Sequence, residues 1–284
     1  MIESPYESRF GFRYSNIGNA SSSPGTSVTP GASNAEGSWT QVATSGNISE
    51  EIWEIVIGVT AGSSNAQAKN HLLDVGIDEA GGSSYTAIIS NIVCGQSGTI
   101  TAGCGGIWFR FPIKIKSGSS VAVRIQGSNA TAGTVRVIVH FYGKPSRPEV
   151  VWRGEVSETI GTITNSNGVS FTPGNAAEGT WVSLGTTSKK LSWWQLGVQV
   201  DNSATSALVV YVDLAYGDST NKHMICEDLQ FMIIGSSEIV CYHTNLSMWQ
   251  TCFCEVPSGG ELWVRGMASA APTSGYNAVA VGVG

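Results

Sequence analysis

Six cysteines and four histidines have the widest chemical reach in this 284-residue chain. Ile92-Val93-Cys94 recurs as Ile239-Val240-Cys241, and Cys104 recurs as Cys252. Two cysteine pairs about ten residues apart thus stand at matching places. A hairpin disulfide in each would add about 2–3 kcal/mol through lost chain entropy. Buried thiols are the competing reading for a chain that folds in a reducing cytoplasm. Zinc is a third: His223-x-x-Cys226, Cys241-x-His243 and Cys252-x-Cys254 are soft ligands, and residues two apart on a strand share a face. Their spacing fits no finger or ribbon, and the cysteines of the first half lack the extra ligands. No metal and no cofactor are expected.

Catalytic chemistry has little to work with. Gly95-Gln96-Ser97-Gly98 lacks the glycine spacing and the strand-to-helix setting of a nucleophile turn. Glu50, Glu51 and Glu54, or Asp74 and Asp78, could supply a glycosidase pair by number alone, but no carboxylate pair recurs in both halves in a way that suggests a site. Asp213 and Asp218 lack calcium-loop spacing, and His140 reads as a satisfied strand residue. The expectation is a protein without enzymatic activity.

Aromatic residues are better placed for binding. Adjacent on one strand, Trp193 and Trp194 must point to opposite faces, so one ring leaves the core. Trp263 alternates with Leu262 and Val264 and also reads as outward. All three are surface candidates, for a subunit interface first, with packing under a loop and glycan stacking as the alternatives. Trp39 and Trp181 each follow an Ala-Glu-Gly turn and are expected to pack on a sheet, with Glu36 and Glu178 tying that turn through backbone hydrogen bonds.

The elements that position these residues come in two sets. Thr29-Pro30-Gly31 with Ala35-Glu36-Gly37-Ser38-Trp39 returns as Thr172-Pro173-Gly174 with Ala177-Glu178-Gly179-Thr180-Trp181. Ser117-Gly118 and Val123-Arg124 return as Ser258-Gly259 and Val264-Arg265. The organisation read from this is an arm (1–8), a first copy (9–143), a Pro-containing linker (144–151) and a second copy (152–284). Val135, Val137, Val139 and Phe141 alternate with polar neighbours, and short β-branched runs separated by Gly, Ser and Asn continue throughout. Strands are expected near 9–14, 38–43, 52–60, 71–78, 85–93, 106–115, 120–127 and 134–142. Eight strands per copy define an all-β chain, a tandem duplication of an eight-stranded jelly-roll-like β-sandwich. Ser15–Val28 and Ser157–Val169 read as loops. In the first strand Phe10, Phe12 and Tyr14 share one face, making them candidates for an assembly contact.

Composition narrows the partners. Charged residues are only 13%, glycines number 35, and the net charge is −6 with no basic run. A polar, nearly uncharged surface is cheap to desolvate against protein neighbours, whereas nucleic-acid binding requires phosphate neutralisation. The N-terminus has neither a basic start nor an apolar stretch, and no segment approaches a membrane span. The expectation is folding in a cytoplasm without a signal peptide, and no membrane partner.

Phe111-Pro112-Ile113-Lys114-Ile115-Lys116-Ser117-Gly118, running on to Val121-Ala122-Val123-Arg124-Ile125-Gln126, resembles a segment of β-sandwich virion proteins of tailed bacteriophages. The second copy keeps Val256-Pro257-Ser258-Gly259 and Val264-Arg265 but drops about four residues between the two stretches. The resemblance implies a virion subunit that contacts other virion proteins, of capsid decoration, fibre or baseplate type. A capsid decoration or cement protein is the leading expectation, as a homo-oligomer with a trimer favoured. A double-jelly-roll major capsid protein and a tail-fibre adhesin binding host glycan are the alternatives.

Overall fold

The computed structural model describes residues 14–17, 19–20, 23–61, 71–94, 107–127, 134–144, 153–161, 168–201, 208–233, 240–242, 252–272 and 275–284. The first copy begins with β1 (Tyr14–Ile17), β2 (Asn19–Ala20), β3 (Ser23–Pro24), β4 (Thr26–Val28) and β5 (Thr40–Ala43). It continues through β6 (Ile52–Ala61), β7 (His71–Asp78), β8 (Thr86–Val93), β9 (Ile107–Phe111), β10 (Ser120–Gly127) and β11 (Val135–Gly143). The second copy opens with β12 (Ser157–Ile160), β13 (Val169–Phe171), β14 (Gly174–Asn175) and β15 (Val182–Thr186). It ends with β16 (Leu191–Asp201), β17 (Leu208–Gly217), β18 (Lys222–Ile233), β19 (Val240–Tyr242), β20 (Cys252–Val256), β21 (Glu261–Ala268) and β22 (Gly275–Val283). No helix among the described residues is long and apolar enough to cross a membrane.

Strand order defines the fold. In the first copy one sheet runs β1-β11-β6-β9, with β4 also on β11, and the other runs β5-β10-β7-β8. With β1 and β4 taken as one broken strand, the sheets hold strands 1-8-3-6 and 2-7-4-5 of eight. That interleaving is the jelly roll. The second copy repeats it: β12-β22-β16 with β13 on β22 and β19 and β20 on β16, against β15-β21-β17-β18. Fold class and duplication stand as read from the sequence.

Two local readings need correction. Ser15–Val28 and Ser157–Val169 are not simply loops, because each holds part of a first strand laid along the last one. Gly25 and Gly168 stand at the second piece, at φ +114° and +113°. A Cβ there would come within 3.0 Å of Val137 O and 2.8 Å of Ala278 O. Nor does the second copy drop residues after Val256. Val256 pairs with Leu191 as Ile115 does with Ile52, and Arg265 faces Asp213 as Arg124 faces Asp74. Pro257 therefore occupies the place of Lys116, and the apparent deletion came from matching proline to proline.

Each sandwich fills its core differently. In β11 the inward residues Val135, Val137, Val139 and Phe141 are all buried. The matching residues of β22 are Tyr276, Ala278, Ala280 and Gly282, three of them small, and the Trp194 ring fills the space at Gly282. A Cβ on Gly282 would lie 2.7 Å from the Trp194 ring. This pairing also fixes the repeat register. Trp194 opposes Gly282 where Ile55 opposes Phe141, which puts Trp193 at the place of Glu54. One residue of slip exchanges the two faces of a strand.

Candidate functional site

The most elaborate polar construction occurs twice, on the outer face of the sheet that carries β7 or β17. In the first copy Arg124 Nε donates to Asp74 Oδ2 at 2.8 Å, and its Nη1 lies 2.5 Å from Glu36 Oε2. The guanidinium sits 4.5 Å above the Trp39 ring. A bulge in β8 sets Ser90 and Asn91 opposite Asp74, and Asn91, at φ +54°, donates its N–H to Asp74 Oδ1 at 2.6 Å. In the second copy Arg265 Nε reaches Asp213 Oδ2 at 2.8 Å and Glu178 at 3.5 Å, 4.6 Å above Trp181. Asp228, at φ +52° in the equivalent bulge, donates its N–H to Asp213 Oδ1 at 2.9 Å. A carboxylate pair thus recurs in both copies, held against an arginine rather than set out as a catalytic pair. Glu36 and Glu178 each hold an arginine, a role the sequence reading did not give them.

The electrostatics of the clusters follow from burial. Removal from water pushes the Asp74 carboxyl up, Glu36 adds to this, and the Asn91 N–H and Arg124 oppose it. Glu178 is also raised, first by burial and then by Asp213 and Asp228, with Arg265 opposing. Among the described residues, Glu178, Asp213 and Asp228 form the group that could hold a cation, with oxygens within 4.8 Å of one another. Arg265 already supplies positive charge there, and the first copy builds the same cluster with Asn91 in place of the third acid. The arrangement ties three strands and a turn together. Its buried acids, Asp74 and Asp213, are each turned toward an arginine and a backbone N–H.

The second construction joins the copies. Trp193, Val279, Val281 and Val283 point outward from the sheet of β16 and β22, yet belong to the hydrophobic core of the first sandwich. Trp193 meets Phe111 edge-on at 5.8 Å between ring centres. Beside it Ser157 Oγ and Thr159 Oγ1 donate to the Ile88 and Ser90 carbonyls of β8. Gly154 bridges Ile113: its N–H donates to Pro112 O at 2.8 Å and its carbonyl accepts from Lys114 N at 3.0 Å. Arg153 lies 3.9 Å above the Trp53 ring and 2.5 Å from Glu51 Oε1. An open groove of about 370 Å³ runs along this junction between Ile88, Ser90, Glu155, Ser157, Thr159 and Lys189.

The sequence candidates separate accordingly. Trp193 and Trp194 are 3% and 2% exposed, so neither is a surface aromatic; one fills the junction and the other its own core. Trp263 does face outward, but Lys222 Nζ lies 4.3 Å from its ring centre and its Nε1 donates to Gly217 O. Phe10 and Phe12 fall outside the described residues, as do the arm 1–8 and positions 145–151 of the linker. Of Tyr14 only the backbone is described, and it pairs with Tyr142.

The cysteine equivalence is overturned. Cys94 is a buried free thiol at the end of β8, and burial pushes it far up. By register its counterpart is Phe231: Cys94 N donates to His71 O, and Val210, the equivalent of His71, faces Phe231. Cys241 lies in β19, on the opposite sheet. Cys104 falls outside the described residues. Cys252 pairs with Trp194 and Cys241 with Val198, four residues along β16, so their Cα atoms are about 13 Å apart by strand rise. That exceeds the bridging limit of about 7 Å. Cys252 instead shares a hydrogen bond with the thiol of Cys226, a pairing the sequence reading missed.

No family model and no curated protein matches the chain. Among solved structures it is similar to the CBM22-1-CBM22-2 tandem domain of Paenibacillus barcinonensis Xyn10C, at 10% identity and TM-score 0.28, covering 96% of this chain and 92% of that one. It is similar to PNGF-II at 9% identity and TM-score 0.41, covering 96% and 66%. A chain of the T13 IBDV viral particle matches at 10% identity and TM-score 0.26, covering 97% and 70%. With scores this low, the fold assignment rests on the strand order alone.

Proposed function

We propose that this chain is a non-enzymatic structural subunit of a virus particle. The particle is a tailed bacteriophage, and the place within it a capsid decoration or cement position, occupied as a trimer. The observation that carries this reading is the junction. Two jelly rolls are fixed to each other by Trp193, Val279, Val281 and Val283 seated in the core of the first sandwich. A block of that kind offers shape and surface rather than a moving cleft. Its low charge lets neighbours cover it at small desolvation cost.

The absence of enzymatic activity is supported by the ion clusters, where buried acids are turned toward arginine and backbone N–H groups. The covered Trp193 and Trp194 and the Lys222 over Trp263 weigh against a glycan platform.

The test is quantitative mass spectrometry of gradient-purified particles from a host carrying the gene, with antibody labelling to locate the chain. Decoration stoichiometry on the shell is expected. A dominant band would make it the major capsid protein, label on fibres would move it to the tail, and absence from particles ends the proposal.

A further inference from the structure

The edge of the sandwich formed by the fifth and sixth strands is closed in one copy and incompletely closed in the other. In the first copy Ile89 of β8 and Phe111 of β9 both belong to the core, at 1% and 0% exposure, and Trp193 packs edge-on against Phe111. Ile89 faces Val75 where Cys226 faces Leu214, and Phe111 faces Ile55 where Cys252 faces Trp194. Cys226 and Cys252 therefore hold the positions of Ile89 and Phe111. Both are only partly buried at the margin of the second core, and they lie on different sheets. The Cα atoms of β18 and β20 come within 8 Å of each other, and the two thiols share a hydrogen bond.

We infer that Cys226 and Cys252 form a cross-sheet disulfide when the protein meets an oxidising thiol–disulfide couple, closing covalently an edge that the first copy closes with Phe111 and Trp193. The Cys226 S–H donates to Cys252 and holds its thiol below the usual range, so Cys252 is the first to ionise. Its thiolate attacks a small-molecule disulfide such as oxidised glutathione and releases one thiolate. Cys226 then loses its proton and attacks the Cys252 sulfur, releasing the second. Two protein thiols are oxidised, one small disulfide is reduced to two thiols, and the protons end on the released thiols. The inference is independent of the virion reading, since it concerns only this edge.

The experiment equilibrates the full chain with oxidised and reduced glutathione and maps peptides without reduction. A Cys226–Cys252 link is expected as the dominant product. The thermal midpoint should rise by roughly 5–10 °C over the reduced protein. Cys226→Ser and Cys252→Ser should each lose that rise, and Cys254→Ser should keep it. A folded, oxidised wild-type protein with free thiols at both positions overturns the inference, as does Cys252 linked to Cys241 or Cys254. The wild-type map decides this even if a serine variant fails to fold.

Discussion

Where Glu54 stands on the outer face of the first copy's β6 sheet, the second copy carries Trp193. Glu54 pairs with Arg110 on that face, near Trp108, whose ring is tilted against His140 at 5.1 Å between centres. The second copy's corresponding face is apolar, and the first sandwich covers it. Ile138, His140 and Tyr142 of one copy stand where Val279, Val281 and Val283 stand in the other, by the shared pairing with β6 and β16. A few outward positions thus decide whether the same sheet face is closed by its own ion pair and rings or by a neighbouring sandwich. The Arg–Asp–Glu–Trp clusters differ little between copies, because they hold strands within each sandwich and not one sandwich to the other.

The largest expected effect is at the junction. Trp193→Ala should destabilise the protein by about 3–5 kcal/mol and split one denaturation transition into two, followed by fluorescence and circular dichroism. A loss under about 1 kcal/mol with a single transition would mean that the tryptophan does not couple the copies. Next come the two ion clusters. Asp74→Ala and Asp213→Ala each leave an arginine and a bulge N–H without their partner and should cost about 2–4 kcal/mol by chemical denaturation. Similar costs would support equivalence, whereas a stable Asp213→Ala beside a damaged Asp74→Ala would break it.

A smaller effect is expected at Trp263, whose replacement by Ala removes one cation–π contact and one hydrogen bond. A loss of about 1 kcal/mol with no change on a glycan array is expected. Array binding that vanishes in the variant would restore the adhesin reading. The smallest effect is a pH slope at Glu54. Burial raises its carboxyl above the ordinary 4.5, with Arg110 opposing. The favourable contribution of the protonated form is complete below 4.5 and is lost as pH rises through the folded value. Wild type should therefore lose stability relative to Glu54→Gln on going from acid to neutral pH. An opposite slope would show that the Arg110 pair outweighs desolvation.

Much of the fold was legible. Alternating residues such as Val135 to Tyr142 fixed strand positions closely, since period two and β-branching are local properties. The expected strands 71–78 and 120–127 match β7 and β10 end to end. The shared Thr-Pro-Gly and Ala-Glu-Gly-x-Trp anchors gave the duplication, and the structure sets Trp39 and Trp181 beneath equivalent arginines. The candidate site was far less legible. Asp74 and Asp213 match at an offset of 139, while the anchors match at 141 to 143. The insertions between them hid a pair that becomes visible only when strands lie side by side.

By itself, then, the sequence determined the strands, their inward residues and the doubling of the domain, all set by short-range periodicity and turn chemistry. Tertiary structure alone decided which thiol meets Cys252, which arginine Glu36 holds, and whether Trp193 faces water. Those outcomes depend on register and on which sheet each strand joins. A single residue of slip reverses a side chain's direction without changing the local pattern that placed the strand.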